Sequence, residues 1–172
     1  RNGRQFDLFA RTSDALAYSG PHPLVAHPPC GPWGRFWWNY KGGEGAKECA
    51  PRAIAQVRSF GGVVEHPSGS RLWKHLKLPL PSQTKDSHGG WTLEVDQCDW
   101  GHLAQKRTWL YIVGVDPIDM PDVPPPKVAS HVMVRLRSNS CTRPEVPKHL
   151  RHLTPMAFAL WLVKVARCVV RP

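Results

Sequence analysis

Two short apolar runs that each end at a proline constrain the fold of this chain more than any other feature. Residues 24–27 stop at Pro28, and residues 63–66 stop at Pro67. Between them, residues 46–60 place apolar side chains at helical spacing, and two glycines follow as a helix stop. A strand, a helix and a second strand in this order are typical of a βαβ unit, so we expect two parallel neighbouring strands.

Further elements are expected on both sides of this unit, from the same kinds of pattern. They are a short helix at 70–75, strands at 91–95 and 108–114, an edge strand at 131–137, a helix that opens at Thr154 and Pro155 and runs to about Val170, and a short helix at 12–18 capped by Thr12 or Ser13. Together they predict an α/β protein with a partial Rossmann-like three-layer fold and a mostly parallel sheet.

The same patterns divide the chain into four parts. Residues 1–23 form an N-terminal segment, and residues 24–115 form the α/β core. Residues 116–150 are rich in proline and are expected to form an extended arm. Residues 151–172 contain a C-terminal helix that is apolar on most faces, so we expect it to pack on the core, with a partner interface as the alternative.

The charge of the chain favours a polyanionic partner. Lys and Arg number 23 against 13 for Asp and Glu, which gives a formal net charge of +10. Lys and Arg side chains gain affinity for DNA by releasing counterions from its phosphates. The alternative is a basic protein without a specific partner. We therefore expect DNA binding.

The cysteines and the apolar pattern bear on the compartment. The five cysteines are odd in number and never occur as Cys-x-x-Cys pairs, which favours reduced thiols over a disulfide framework. No secretory segment is evident, and the apolar stretch near residues 153–170 is interrupted by Lys164 and Arg167. We expect a cytoplasmic protein with no membrane partner.

Two reactive side chains follow the two predicted parallel strands. Cys30 lies in the loop after the first strand, and Glu65 lies at the end of the second. Ligands of open α/β sheets bind at the carboxyl ends of the strands, so the two groups are expected to meet there. A thiolate is a strong nucleophile, and a carboxylate can exchange protons or bind a base. The alternatives are an inert buried thiol and a carboxylate held in a helix cap or an ion pair.

Four short segments resemble one enzyme family. Residues 26–30 (Ala-His-Pro-Pro-Cys) resemble the Pro-Pro-Cys loop of DNA cytosine-5 methyltransferases, and residues 63–67 (Val-Val-Glu-His-Pro) resemble its Glu-Asn-Val strand. Residues 101–114 are similar to its Gln-x-Arg-x-Arg turn and following strand, and residues 153–155 to the Leu-Thr-Pro that opens its last helix. The segments occur in the family's order, as in a shortened relative of the kind that a phage or prophage encodes.

The resemblance implies a mechanism with assigned residues. The Cys30 thiolate would add to C6 of a flipped cytosine, and Glu65 would bind N3 and the exocyclic amine. Gln105 and Arg107 would hold the catalytic loop, the base or its phosphates. S-adenosylmethionine would supply the methyl group, but its glycine-rich loop is not evident in the 29 residues before Cys30. A shortened fold, a second subunit or copy that completes the cofactor site, a truncated chain or a non-catalytic relative would each explain this difference. Gly31 also stands where the family has Gln. By the same resemblance, residues 116–150 would be a reduced form of the family's target-recognition region instead of a simple arm.

Other residues are candidates for binding. Those predicted to bind nucleic acid are Arg35, Trp33, Trp37, Arg71 and Lys106. The aromatic run that also includes Trp38 and Tyr40 either stacks on bases or covers the core. Residues 68–71 either bind phosphate or place Ser70 as a helix cap. A zinc site would need His27, Cys30, Cys98 and His102, with Cys49 or His66 as further ligands, but no Cys-x-x-Cys pair supports it.

Three functions remain open from the sequence. The first is a minimal cytosine-5-methyltransferase-like enzyme acting on DNA. The second is a DNA-binding relative that keeps the basic surface and has lost methyl transfer. The third is a thiol enzyme that modifies free pyrimidine nucleotides, because addition to C6 does not require DNA.

Overall fold

A mixed sheet with helices on both faces carries the fold. The computed structural model of the chain describes residues 15–43, 45–134 and 141–170. Within these residues the strands are β1 (Leu24–Ala26), β2 (Gly62–Pro67), β3 (Trp91–Asp96) and β4 (Arg107–Val113), and the helices are α1 (Gly45–Phe60), α2 (Arg71–Leu76) and α3 (Met156–Arg167). The strands lie side by side in the order β1-β2-β4-β3. The chain is thus an α/β protein, as its sequence predicts.

The prediction of a mostly parallel sheet is wrong. β1 and β2 are parallel, with Leu24 opposite Gly62, but β4 runs antiparallel to both β2 and β3. The connection between β3 and β4 spans only residues 97–106, which is too short for the crossover that parallel strands need. The Rossmann-like parallel arrangement is therefore limited to the β1–α1–β2 unit.

The sheet is packed on both faces. α1 and α2 cover one face, and α3 covers the other. The first core includes Ala50, Ile54, Val57, Val64, Leu72, Trp73 and Tyr111, and the second includes Val63, Leu110, Ile112, Phe158, Trp161, Leu162 and Val165. Alternating residues of β2 and β4 contribute to opposite cores, as the pleat of a strand requires.

A glycine allows β1 to reach the sheet. Gly62 has a φ of +123°, and a side chain at this position would collide with the backbone of Leu24. The close approach of β1 to β2 therefore depends on glycine, which lacks a Cβ atom. The pairing places the carboxyl ends of β1 and β2 next to each other.

Two of the predicted elements fall partly outside the described residues. Of the predicted helix at 12–18, the described part contains a 3₁₀ turn at Ala15–Ala17, and the caps Thr12 and Ser13 lie outside. Of the predicted edge strand at 131–137, the described part makes two isolated bridges, and residues 135–137 lie outside. Among the described residues, no helix has the length and apolar character that a membrane span requires.

Candidate functional site

Cys30 and Glu65 meet at the carboxyl ends of β1 and β2. Cys30 is exposed in the loop after β1, and Glu65 is a half-buried residue of β2 whose side chain is 13% exposed. The carboxylate is close enough to influence the thiol, since its negative charge raises the pKa of Cys30. The structure therefore brings together the two groups that the sequence placed at this edge.

Two hydrogen bonds hold the Glu65 carboxylate. His27 Nδ1 donates to Oε2 over 3.1 Å, and Gln97 Nε2 donates to Oε1 over 3.1 Å. Gln97 is fully buried, and the same Nε2 also donates to Thr108 Oγ1 over 3.0 Å. Burial raises the pKa of Glu65. The hydrogen bond and charge of His27, together with the charge of Lys106, lower it by more than burial raises it, so the pKa of Glu65 lies below its usual range. Glu65 is thus an ionised acceptor with a fixed orientation.

Cys30, unlike Glu65, is held in its protonated form. Partial burial of the sulfur and the charge of Glu65 raise the pKa of Cys30, and the ammonium of Lys106 opposes them. The side chain is therefore a thiol in the free protein, and it becomes a nucleophile when a proton acceptor takes its hydrogen.

Lys106 is the cation of this site. Burial lowers the pKa of its ammonium below the ordinary value, and the neighbouring Glu65 and Cys30 offset only part of this shift. Its Nζ donates to the Leu153 carbonyl over 2.7 Å, which ties the site to the segment before α3. Lys106 has a φ of +43°, in the left-handed region, so the chain turns sharply before β4. Sequence reasoning assigned Lys106 to nucleic-acid binding, and the structure places it beside the candidate nucleophile.

Gln105 and Arg107 are directed to β3 and not to the Cys30–Glu65 pair. Gln105 Nε2 donates to Asp96 Oδ2 over 2.7 Å, and Arg107 Nε lies 3.6 Å from Glu94 and 3.7 Å from Asp96. Leu110 is the residue of β4 opposite Glu65, so these two side chains lie on the same face of the sheet. Arg107 is three positions before Leu110, so its side chain lies on the other face. The catalytic roles expected for Gln105 and Arg107 find no support in these contacts.

Trp33 fixes the loop that carries Cys30, and it is a core residue. It is 5% exposed, so burial leaves its indole little surface for a base, and its predicted role in nucleic-acid binding finds no support in this burial. Its Nε1 donates to the Lys47 carbonyl over 3.2 Å. Pro51, four residues later in α1, has no N–H for that carbonyl, so Trp33 supplies the missing donor.

α2 holds the same loop from its N-terminus. Ser70 caps α2 by accepting a hydrogen bond from the Leu72 amide over 3.2 Å, which confirms the cap interpretation of residues 68–71. The Trp33 carbonyl accepts from the Arg71 amide over 2.9 Å. The loop after β1 is therefore anchored on two helices, with Cys30 at its start.

An exposed aromatic tract follows this anchored turn. We use the term aromatic tract for residues 35–40. Phe36 and Trp38 are 62% and 65% exposed, and Trp37 is 42% exposed. The Arg71 guanidinium stands 3.9 Å from the centre of the Trp37 ring, and Arg35 stands 5.8 Å from the centre of Phe36. Of the predicted binding residues, Arg35, Trp37 and Arg71 are thus grouped on one surface.

Gly31 links the aromatic tract to Cys30. A Cβ atom at Gly31 would collide with the ring of Tyr40, the last residue of the tract. The ring therefore packs directly against the residue after Cys30. This contact gives a physical reason for glycine where the resembled family has Gln.

His66 packs against the loop that leads to Cys30. It is fully buried beside Trp73 and next to the backbone of Pro29. Burial lowers its pKa to about 4, with Glu65 and the Pro29 backbone opposing this shift, so the ring is neutral at pH 7. Among residues 15–43, 45–134 and 141–170, no three His, Cys, Asp or Glu side chains come together as a metal site, so the zinc ligands considered above are not assembled there.

The described residues do not fit S-adenosylmethionine. A nucleoside cofactor needs a carboxylate for its ribose and open glycine backbone for close approach. At the ends of β1 and β2 the carboxylates in the described residues are Glu65, which lies within reach of the Cys30 thiol, and Glu94, whose Oε2 accepts from Ser68 Oγ and Trp109 Nε1 and which also pairs with Arg107. Gly31 and Gly42 flank the Tyr40 ring, which fills the space beside them. The described residues therefore offer no site for this cofactor at the ends of β1 and β2.

Comparison of the chain with known protein families, curated proteins and solved structures gives no match. Sequence reasoning missed His27 and Gln97 as partners of Glu65. His27 carried a signal, because it ends the strand that leads to Cys30. Gln97 carried none, because its approach to Glu65 depends on how β3 and β4 pair.

Proposed function

We propose that the protein is a DNA-binding, cytosine-5-methyltransferase-like protein that adds the Cys30 thiol to C6 of a flipped cytosine. One observation carries the proposal. An exposed thiol stands within electrostatic reach of an oriented carboxylate and an ammonium, at the carboxyl ends of two parallel strands. This is where open α/β sheets bind ligands, and the three groups match the needs of addition to a pyrimidine.

The step balances without any further reactant. The sulfur forms a bond to C6 while its proton passes to the Glu65 carboxylate and from there to N3 of the base. The electron pair of the C5–C6 double bond moves to form a C4–C5 double bond. The pair of the C4–N3 double bond moves to N3, which takes the proton. Lys106 favours the thiolate during the transfer, and Glu65 also accepts a hydrogen bond from the exocyclic amine. Reversal of these movements releases the base.

The surface beside the site suits a DNA strand. The net charge is +10, and Arg35 and Arg71 lie on the same surface as the exposed aromatic rings. Cationic side chains bind phosphates, and a base must leave its stack before a thiol can reach C6. The proposed substrate is therefore a cytosine within a polynucleotide.

A covalent trap tests the proposal. DNA with a single 2-pyrimidinone base, which lacks the exocyclic amine and accepts thiols more readily, is incubated with the protein and run on a denaturing gel. The wild-type chain and Cys49→Ala are expected to give a shifted band, and Cys30→Ala none. A band that persists in Cys30→Ala would overturn the proposal, and so would its absence from the wild type at saturating DNA. Trapping by the free mononucleotide alone would favour the enzyme of free nucleotides.

The second candidate is a DNA-binding relative without chemistry. It is favoured by the raised pKa of the Cys30 thiol and by the poor fit of the described residues to the methyl donor. DNA containing 5-fluorocytosine separates methyl transfer from addition, because trapping there requires methylation at C5. With S-adenosylmethionine present, we expect no trapping on 5-fluorocytosine by this chain.

A further inference from the structure

The surface formed by the aromatic tract and α2 combines exposed aromatic rings with cations. Phe36 and Trp38 expose more than half of their surface, which is costly in water unless something covers them. Residues 35–41 and 71–77 contain Arg35, Lys41, Arg71, Lys74 and Lys77, and neither segment contains Asp or Glu. The two segments meet where Arg71 stands over Trp37. The occupant of this surface must therefore offer both flat apolar faces and negative charge.

We infer that this surface binds a single strand of DNA and that the target of the protein is an unpaired cytosine. Bases of a single strand have free faces that stack on aromatic rings, while their phosphates meet Arg and Lys. In a duplex the neighbouring pairs cover these faces, so the aromatic tract could act only after unstacking, at a cost of a few kcal/mol. The inference rests on the proposed function for the identity of the target base.

The geometry connects the tract to the reactive thiol. Tyr40 packs on Gly31, the residue after Cys30. The hydrogen bond from the Arg71 amide to the Trp33 carbonyl holds the chain between Gly31 and Tyr40 in place. A strand lying along residues 36–40 therefore reaches the loop that carries Cys30. Phe36 and Trp38, the two most exposed rings of the tract, contact each other edge to face and are not stacked on each other, so more than half of each ring's surface remains open to a base.

Binding of matched oligonucleotides tests the inference. A labelled single strand with one cytosine and the same sequence as a duplex are titrated with the protein and followed by fluorescence anisotropy. The single strand is expected to bind at least about tenfold more tightly, and Trp38→Ala should weaken its binding by about tenfold, the loss of one stacked base. Ile118→Ala, which removes an apolar side chain that is 91% exposed elsewhere, should change neither affinity.

Tighter binding of the duplex would overturn the inference, and so would unchanged single-strand binding by Trp38→Ala. If the tract serves a second copy of this chain instead, Trp38→Ala would abolish a dimer in sedimentation without affecting DNA binding, which also overturns it. The pyrimidinone trap separates this inference from the proposed function. Single-strand binding that depends on Trp38, without a Cys30 adduct, would support the single-strand surface and refute the addition of Cys30 to the base. A Cys30 adduct with no dependence on Trp38 would support the addition and refute the single-strand surface.

Discussion

The charges around Cys30 decide how readily its thiol ionises. Burial and the Glu65 carboxylate raise the pKa of Cys30, and Lys106 lowers it. Glu65→Gln keeps the shape of the side chain and removes the negative charge, so the thiolate population and the alkylation rate at Cys30 should rise severalfold near neutral pH. Lys106→Met should slow alkylation. Iodoacetamide labelling with mass spectrometry of the Cys30 peptide measures both rates, with Cys49 of the same molecule as the control. Equal rates in all three proteins would contradict this electrostatic arrangement.

His66 should make the stability of the protein depend on pH. Its folded pKa of about 4 lies below the ordinary 6.5 of the unfolded chain, because burial disfavours the charged ring. The stabilisation is therefore complete above pH 6.5 and is lost as the pH falls towards 4, by about 3 kcal/mol in total. Urea unfolding at a series of pH values measures the loss. His66→Phe, which cannot titrate, should have a shallower dependence, and an equal slope in both proteins would show that His66 is not the cause.

The reactive pair was predictable from single residues, but its surroundings were not. Cys30 and Glu65 each follow a short apolar run, and the carboxyl ends of neighbouring strands meet at one edge. The role of Lys106 depends on its positive φ, which nothing in the sequence Gln-Lys-Arg signals. For the same reason Gln105 and Arg107 were assigned to a site that their side chains do not face.

The helix α1 and the loop after β1 stabilise each other through a proline. Pro51 leaves the Lys47 carbonyl without its helical donor, and the Trp33 indole donates to it instead. Trp33→Phe should therefore cost about 1–3 kcal/mol. In a Pro51→Ala background the new Ala amide can bond to Lys47, so the cost of Trp33→Phe should fall by about 1 kcal/mol. Urea unfolding of the four proteins in this cycle gives the coupling, and equal costs in the two backgrounds would refute it.

The elements themselves were largely predictable because their signals are local. α1 is predicted from residue 46 and begins at Gly45, and β2, α2 and β4 start or end within three residues of their predicted bounds. Prolines and glycines set these boundaries wherever the chain must leave a strand or a helix. The end of α3 was placed too late, because the apolar pattern continues to Val170 while the helix ends at Arg167. Apolar periodicity thus locates a helix better than it locates its last turn.

The direction of the strands belongs to the whole molecule, and the sequence left it open. Alternation of apolar residues identifies β3 and β4 as strands but is the same for parallel and antiparallel partners. The short connection between β3 and β4 was the available signal for an antiparallel pair. The antiparallel pairing of β2 with β4 had no such signal, and it is this pairing that places Lys106 near Glu65.

The distribution of charge over the molecule predicts which surface binds DNA. Arg35 and Arg71 lie at the aromatic tract, whereas Lys164 and Arg167 lie on α3, which packs on the opposite face of the sheet from α2. Arg35→Ala/Arg71→Ala should reduce the salt dependence of single-strand binding, lowering the log–log slope by about 1.4. Lys164→Ala/Arg167→Ala removes the same net charge and should leave the slope unchanged. Equal slopes for the two double variants would show that affinity follows net charge rather than this surface.

The chemistry proposed for this fold is tested most directly by locating the adduct. The protein is incubated with pyrimidinone-containing DNA, digested with protease and nuclease, and the modified peptide is sequenced by mass spectrometry. We predict a single pyrimidine nucleotide on Cys30 and none on the other four cysteines of the chain. A nucleotide on another cysteine, or an unmodified Cys30 in protein that is saturated with DNA, would contradict the proposal.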